Sequence, residues 1–219
     1  MQTVVSIIES RVKAYGIEEP VVQRPSENRI KVYLPGTDEI EEAASLIGKH
    51  SIVKFKEFRP ITPEYTWSHS YFAFTPDENG NPELIETNRS KAEYVAIPAA
   101  GEINSEKRQL TSRYFKGNVE VRIPKGTDSA EICFYWNDTG STLFYHITSR
   151  LSTKLAGSVE RRLAIFVGND YISSPVVNEP MRDGAVIPGI SLSKARRVAT
   201  IINTGQLPVS LQPIDQCIP

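Results

Sequence analysis

The sequence predicts an α+β fold in which the two chain ends form one small subdomain and the middle forms a second, inserted one. Helical and strand patterns mix without the regular alternation of a doubly wound sheet. The stretches from residue 3 to about 59 and from 191 to about 213 each resemble half of a sheet subdomain. We therefore predict a discontinuous subdomain over 1–58 and 190–219, and an insertion over 59–189.

Composition and charge narrow the classes of function. The 219 residues are 40% apolar and 23% charged, within the usual range of globular domains. The net charge of −1 predicts no nucleic-acid partner. No apolar run is long enough to span a bilayer. Because Met1 leads directly into a helical pattern, we expect a piece excised from a longer protein.

The N-terminal part predicts a helix, two strands, a second helix and a third strand. Apolar residues at steps of three and four mark the first helix, and Gly16 ends it. Thr37 or Asp38 caps the second helix. The predicted elements are a helix over 3–15, strands over 21–23 and 29–34, a helix over 38–47 and a strand over 52–58.

The rest of the chain predicts hairpins and two further helices. Across 60–118, strand-like pieces at 70–75, 83–87 and 93–97 alternate with turn compositions, which favours hairpins and loops. The later elements are strands over 119–123 and 130–136, a helix over 138–155 with Leu155 on its buried side, a hairpin over 163–177, a loop over 180–189 with room for one short strand, a helix from Ser191 to Gly205 and a strand over 207–211.

The tetrapeptide Asp138-Thr139-Gly140-Ser141 matches the active-site sequence of aspartic proteases. That chemistry needs two carboxylates that share one proton, and the sequence has no second copy. The tetrapeptide also opens an amphipathic helix, where the Asp138 carboxylate can accept from free N–H groups. We therefore predict a helix cap and no catalytic residue. Loss of a measurable peptidase activity in Asp138→Asn would instead support a hydrolase.

The sequence predicts no metal site and no cofactor. His50, His69 and His146 lack the spacing of metal ligands. Cys133 and Cys217 are too few for a disulfide scaffold or a zinc site. A single bridge between them in an oxidising compartment and two separate thiols both remain open.

A dense aromatic group is the candidate contact for unfolded polypeptide. Aromatic rings provide a large contact area for little lost entropy. Packing of the same rings in the core of a hairpin is the alternative. The members of the group are Tyr65, Trp67, Tyr71, Phe72 and Phe74.

Several separated stretches match one known family. They are residues 4–12, 16–23, 27–36 and 46–48 near the N-terminus, and 163–167, 173–180 and 191–209 later, including Leu34-Pro35-Gly36 and Ser173-Ser174-Pro175-Val176-Val177. Together they resemble the first extracytoplasmic region (P1) of SecD, a subunit of the SecDF protein-export complex. The similarity covers residues 3–58 and 130–213, and residues 60–118 match poorly.

The resemblance implies a ferredoxin-like base from the two chain ends, with an antiparallel sheet and helices on one face, carrying an α+β head. It implies a place outside the cytoplasm at the bacterial cell membrane, where the domain binds translocating preprotein without chemistry of its own. It further implies movement that assists proton-driven export, with SecF and the Sec channel as partners through membrane spans outside this sequence.

The borders of the insertion are candidate hinges for such movement, because a hinge consists of a few loop positions that absorb dihedral change. The candidates are Arg59, Pro60, Pro188 and Gly189. The alternative function is a stand-alone α+β module that binds a ligand or a partner. Flanking apolar spans of about 20 residues in the parent gene would exclude that alternative.

Overall fold

The computed structural model describes residues 2–14, 16–17, 19–35, 47–48, 52–65, 70–76, 82–205, 207, 211 and 214. Their α+β fold with antiparallel sheets confirms the predicted class. In chain order the helices and strands are α1 (Gln2–Ala14), β1 (Val21–Ser26), β2 (Arg29–Tyr33), β3 (Val53–Pro60), β4 (Ser70–Pro76), β5 (Pro82–Thr87), β6 (Tyr94–Pro98), β7 (Ala100–Ile103), β8 (Glu106–Gln109), β9 (Glu120–Arg122), β10 (Ala130–Tyr135), α2 (Asp138–Ser152), β11 (Leu163–Val167), β12 (Asp170–Ser173), β13 (Gly184–Ile190) and α3 (Leu192–Asn203).

The chain divides into two compact units. Unit 1 comprises Met1–Ile52, Asn118–Cys133 and Pro188–Pro219, and unit 2 comprises Val53–Gly117 and Phe134–Ile187. These borders differ from the expected ones, because β3 belongs to unit 2 and residues 118–133 belong to unit 1. The prediction placed β3 with the chain ends, because the pattern of a single strand does not encode its partner. Movement of the units as base and head stays a prediction.

In unit 1, α1 packs its apolar face on the antiparallel hairpin β1–β2, as predicted. The helix ends at the predicted position, where Gly16 has φ +103° and its N–H donates to the Lys13 carbonyl at 2.9 Å. This left-handed conformation favours glycine because it carries no Cβ. The predicted helix over 38–47 and strand over 207–211 lie outside the described residues, apart from Ile47, Leu207 and Leu211.

The closing helix of unit 1 begins and ends as predicted. The Ser191 hydroxyl accepts from the Lys194 N–H at 3.3 Å, and the helix is over before Gly205. Near its end, the Asn203 amide accepts from the Val119 N–H at 2.8 Å and donates to the Val119 carbonyl at 3.0 Å. These two hydrogen bonds attach the segment that leads into β9 to the C-terminal helix.

Unit 2 contains a six-stranded antiparallel sheet with the strand order β12–β11–β3–β6–β4–β5. The hairpins predicted within 60–118 are confirmed in β4, β5 and β6. The hairpin β7–β8 was not predicted, although its turn at Asn104 and Ser105, with φ of 51° and 63°, is a two-residue turn of the kind that asparagine favours. The predicted hairpin over 163–177 is present as β11–β12, which ends at Ser173.

Helix α2 is shorter than predicted. It ends at Ser152, where the Lys154 N–H donates to the Leu151 carbonyl at 3.0 Å and closes a tighter turn. The prediction that Leu155 lies on the buried side of the helix is therefore wrong, since its side chain is 80% exposed. Leu143, Ile147 and Leu151 do form the buried face.

Candidate functional site

The aromatic group predicted to contact polypeptide lies on β4 and in the segment before it. Tyr71 and Phe72 are buried, Tyr65 is half-buried and Phe74 is 37% exposed. Trp67 lies outside the described residues. A buried ring cannot touch a passing polypeptide without rearrangement. Among the described members, the surface available for such a contact is therefore that of Phe74 and Tyr65.

Position along β4 accounts for the different exposure of Phe72 and Phe74. Phe72 points into an aromatic cluster on one face of the sheet, with edge-to-face contacts to Phe58 at 5.1 Å and Tyr171 at 5.0 Å. Phe74 lies two residues further on the same face, opposite Leu84 of β5 and 6.3 Å from the ring of Tyr94. The cluster thus ends at a partly exposed phenyl ring near the outer hairpin of the sheet.

A half-buried lysine lies on the same face of the sheet. The Lys56 ammonium lies 3.0 Å from the Ser70 hydroxyl and 4.0 Å from the centre of the Phe166 ring. Burial lowers the pKa of Lys56, with a further lowering by the charge of Lys54 and an opposing effect of Glu86. Lys56 thus joins the aromatic cluster to Ser70 at the start of β4.

A second aromatic cluster fixes the start of α2 and accounts for the protease-like tetrapeptide. Its rings are those of Phe55, Phe115, Phe134, Trp136 and Phe144. Within the tetrapeptide, a Cβ on Gly140 would lie 2.7 Å from the Tyr114 Cβ and 2.9 Å from the Trp136 ring. Glycine is thus required there for packing.

The cap of α2 differs from the prediction by one residue. The Asn137 side chain accepts from the Gly140 N–H at 2.9 Å, so Asn137 is the N-cap. Asp138 is an exposed residue of the first turn, where its carboxylate interacts favourably with the positive end of the helix dipole. The aspartate was expected to cap because its position opens the amphipathic pattern.

A buried ion pair in unit 2 was not predicted from the sequence. The Glu57 carboxylate, with 3% of its side chain exposed, accepts from the Arg150 guanidinium and from Arg59 at 3.0 Å. Arg150 also donates to the Ala100 carbonyl at 3.0 Å. The available signal was the position of Glu57 inside a strand, between the buried Phe55 and Phe58. The pair holds α2 on the sheet.

No group of three histidine, cysteine or acidic side chains that could hold a metal ion occurs in the part of the chain that the structure describes. His146 is exposed, while His50 and His69 lie outside that part. Cys133 is buried and forms no disulfide within the described residues, and burial raises the pKa of its thiol. Cys217 is not among the described residues.

The candidate hinge residues fall into two groups. Arg59 and Pro60 lie in the paired part of β3, opposite Val95 and Tyr94 of β6, and not at a border between the units. Backbone held in a sheet ladder is a poor place to absorb dihedral change. Pro188 and Gly189 also lie in a strand, β13, but at the point where the chain enters unit 1 again, and Gly189 has φ +71°. For them a hinge role stays a prediction.

Two family models match the chain. Residues 1–60 match the N-terminal part of the P1 domain of the protein translocase subunit SecDF, and residues 103–209 match the P1 head subdomain of SecDF. The two matches together cover most of the chain. Among the described residues, no helix combines the length and apolar composition needed to cross a membrane.

Curated relatives carry the same description. The chain is 29% identical over 98% of its length to the protein translocase subunit SecD of Dehalococcoides mccartyi, covering 42% of that protein. It is 27% identical over 98% of its length to SecD of Calditerrivibrio nitroreducens, covering 40%. The chain thus spans about two-fifths of the relatives that it matches. This is a family of translocase subunits and not a known family of enzymes.

Two solved structures show the same fold. One is of a SecDF described as a membrane component that enhances protein export, with a TM-score of 0.59, 21% identity and coverage of 99% of this chain and 92% of that one. The other is a SecDF crystal structure in a super-membrane-facing form, with a TM-score of 0.60, 20% identity and coverage of 96% and 27%. Family models, relatives and fold agree, so the chain belongs to the SecD family and corresponds to its P1 domain.

Proposed function

We propose that this chain is the extracytoplasmic domain of a SecD subunit that binds unfolded preprotein during export. The observation that carries the proposal is the extent of the similarity: translocase subunits match 98% of the chain, across both units, and not one short motif. Phe74 supplies a partly exposed aromatic contact on unit 2. Such a ring gains apolar contact with many different sequences, as an export component requires.

The proposal includes movement and partners. The domain changes conformation to assist proton-driven export, and Pro188 and Gly189 are the positions at which dihedral change would be absorbed. SecF and the Sec channel are reached through the rest of the longer protein, since the chain spans about two-fifths of its relatives. The domain lies on the outer side of the bacterial cell membrane in this account.

An export assay with the whole translocase tests the proposal. Phe74→Asp places a charge where an apolar contact is needed, and we expect export of a reporter preprotein to slow at least about fivefold, equivalent to roughly 1 kcal/mol of lost binding. Leu155→Asp is the matched control, because this side chain is also exposed in unit 2 but lies outside the proposed surface. Equal export by the wild type and both variants would contradict the proposal.

A further inference from the structure

Within the described ranges, the outer strand of the six-stranded sheet has one side without a neighbour. β5 pairs with β4 continuously from Tyr71↔Thr87 to Pro76↔Pro82, without a bulge. Among the described residues, no strand pairs with β5 on its other side, here called the β5 edge. Apart from the ladder with β4, no backbone group of residues 82–87 has a hydrogen-bond partner within the described part of the chain. Alternate residues of an outer strand direct their N–H and C=O groups away from the sheet.

The strand at the opposite end of the sheet, β12, is better protected against strand addition than β5. β12 has four residues, and its pairing with β11 shifts register between Ile165 and Phe166. Short strands and irregular pairing are devices that prevent unwanted strand addition. Beyond β12, the Leu163 N–H donates to the Pro175 carbonyl at 3.0 Å, so the following segment continues the cover of β11. The β5 edge has neither a bulge nor such a covering segment among the described residues.

We propose that the β5 edge binds an extended polypeptide segment by strand addition. This inference rests on the proposed function and specifies how the preprotein is held. Main-chain hydrogen bonds supply the affinity in this mode, so recognition tolerates many sequences. That tolerance is what a component that handles unfolded chains of diverse sequence requires. The edge thus acts together with the apolar contact at Phe74, which lies one strand further in.

The side chains of the strand favour basic segments. Glu83 and Glu86 are exposed, and β4 and β5 contain no lysine or arginine. Opposite charges on neighbouring strands stabilise pairing, and like charges destabilise it. The same carboxylates disfavour a second copy of this chain as the occupant, because pairing of two β5 edges would bring acidic residues together.

Amide exchange with the 219-residue chain tests strand addition. The probe is a synthetic peptide of alternating lysine and valine, about as long as an ordinary strand. We expect slower exchange for alternate amides within 83–87, since only every second N–H faces the edge. A peptide of the same sequence with a methyl group on every backbone nitrogen should give no protection, because neither of its edges then carries an N–H donor for a ladder.

Reversal of the charges on β5 provides a matched comparison of peptide affinities. The lysine peptide should bind the wild type about threefold to tenfold more tightly than a glutamate–valine peptide. The preference should reverse in the double variant Glu83→Lys with Glu86→Lys. It should persist in Glu102→Lys with Glu106→Lys, which makes the same charge change at exposed positions of the hairpin β7–β8.

The contrary results separate this inference from the proposed function. Protection confined to other strands, no binding at all, or self-association through β5 in sedimentation would each overturn strand addition. If the Phe74→Asp export defect nevertheless appears, the proposed function survives alone. If neither the edge protection nor the export defect appears, both fail.

Discussion

Arg11 links the N-terminal helix α1 to the end of the C-terminal helix α3 within unit 1. Its side chain is fully buried and donates to the Thr204 hydroxyl at 3.2 Å, the Gly205 carbonyl at 3.0 Å and the Ile47 carbonyl at 3.0 Å. Burial lowers the pKa of the guanidinium to about 10, so it still carries its charge at neutral pH. One side chain of α1 thereby holds the end of α3.

Replacement of Arg11 by methionine should weaken unit 1 strongly. The variant keeps a long apolar stem but leaves buried carbonyl groups without their donor, which should lower the free energy of unfolding by about 2–4 kcal/mol. Urea denaturation followed by far-UV circular dichroism measures the change. Lys13→Met on the same helix is the control, since Lys13 is exposed, and it should have little effect. Equal stability of the two variants would show that the Arg11 bonds contribute nothing.

Single residues also show what the sequence could and could not reveal. Gly16, Ser191 and Gly205 were predicted at helix ends because capping depends on local backbone chemistry. The burial of Arg11 was missed, although it follows Ile8 by three positions and so lies on the buried face of α1. Gly140 was noted within a motif, but its real constraint is the packing of Tyr114 and Trp136, which no local pattern encodes.

At the scale of elements, the pair formed by Glu57 and Arg150 attaches α2 to β3. Glu57 is buried in the sheet, while the Arg150 side chain is 39% exposed. Loss of one partner leaves a charge in a site of low polarity, which typically costs about 3–5 kcal/mol. The cost here should be smaller, because Arg59 remains 3.0 Å from the same carboxylate.

Arg150→Met should therefore lower the free energy of unfolding by about 1–3 kcal/mol. A double-mutant cycle with Glu57→Gln measures the coupling between the two side chains, which should exceed that between Arg108 and Glu106. The latter pair joins exposed residues of β8 at 2.7 Å and serves as the control, since exposed pairs stabilise little. Additive effects of Arg150→Met and Glu57→Gln would contradict the role assigned to this pair.

The elements themselves were more predictable than their partners. Alternating apolar residues identified β2 and β9, a mostly apolar run identified β10, and the stripe of α1 identified the opening helix, because these patterns are local. The assignment of β3 to the terminal subdomain failed to foresee its ladders with β11 and β6. The sheet to which a strand belongs depends on contacts with residues far away in sequence, and the local pattern of one strand does not reveal them.

At the scale of the whole molecule, the chain alternates between the two units more often than a single insertion would require. The chain passes between units 1 and 2 four times, and two of the passages fall inside the strands β10 and β13. The Asn203 amide, bonded to both backbone groups of Val119, shows why residues 118–133 belong with the chain ends. The resemblance to SecD identified the family correctly, although residues 60–118 carried none of the matching stretches.

The central claim is that unit 2 touches a polypeptide in transit, and site-specific photocrosslinking in the assembled translocase tests it most directly. A photoreactive residue is placed at Phe74 or, as control, at Leu155, both exposed in unit 2. With a preprotein stalled in the channel, the account predicts a crosslink to that preprotein from position 74 and none from position 155. No crosslink from position 74, or equal crosslinking from both positions, would contradict it.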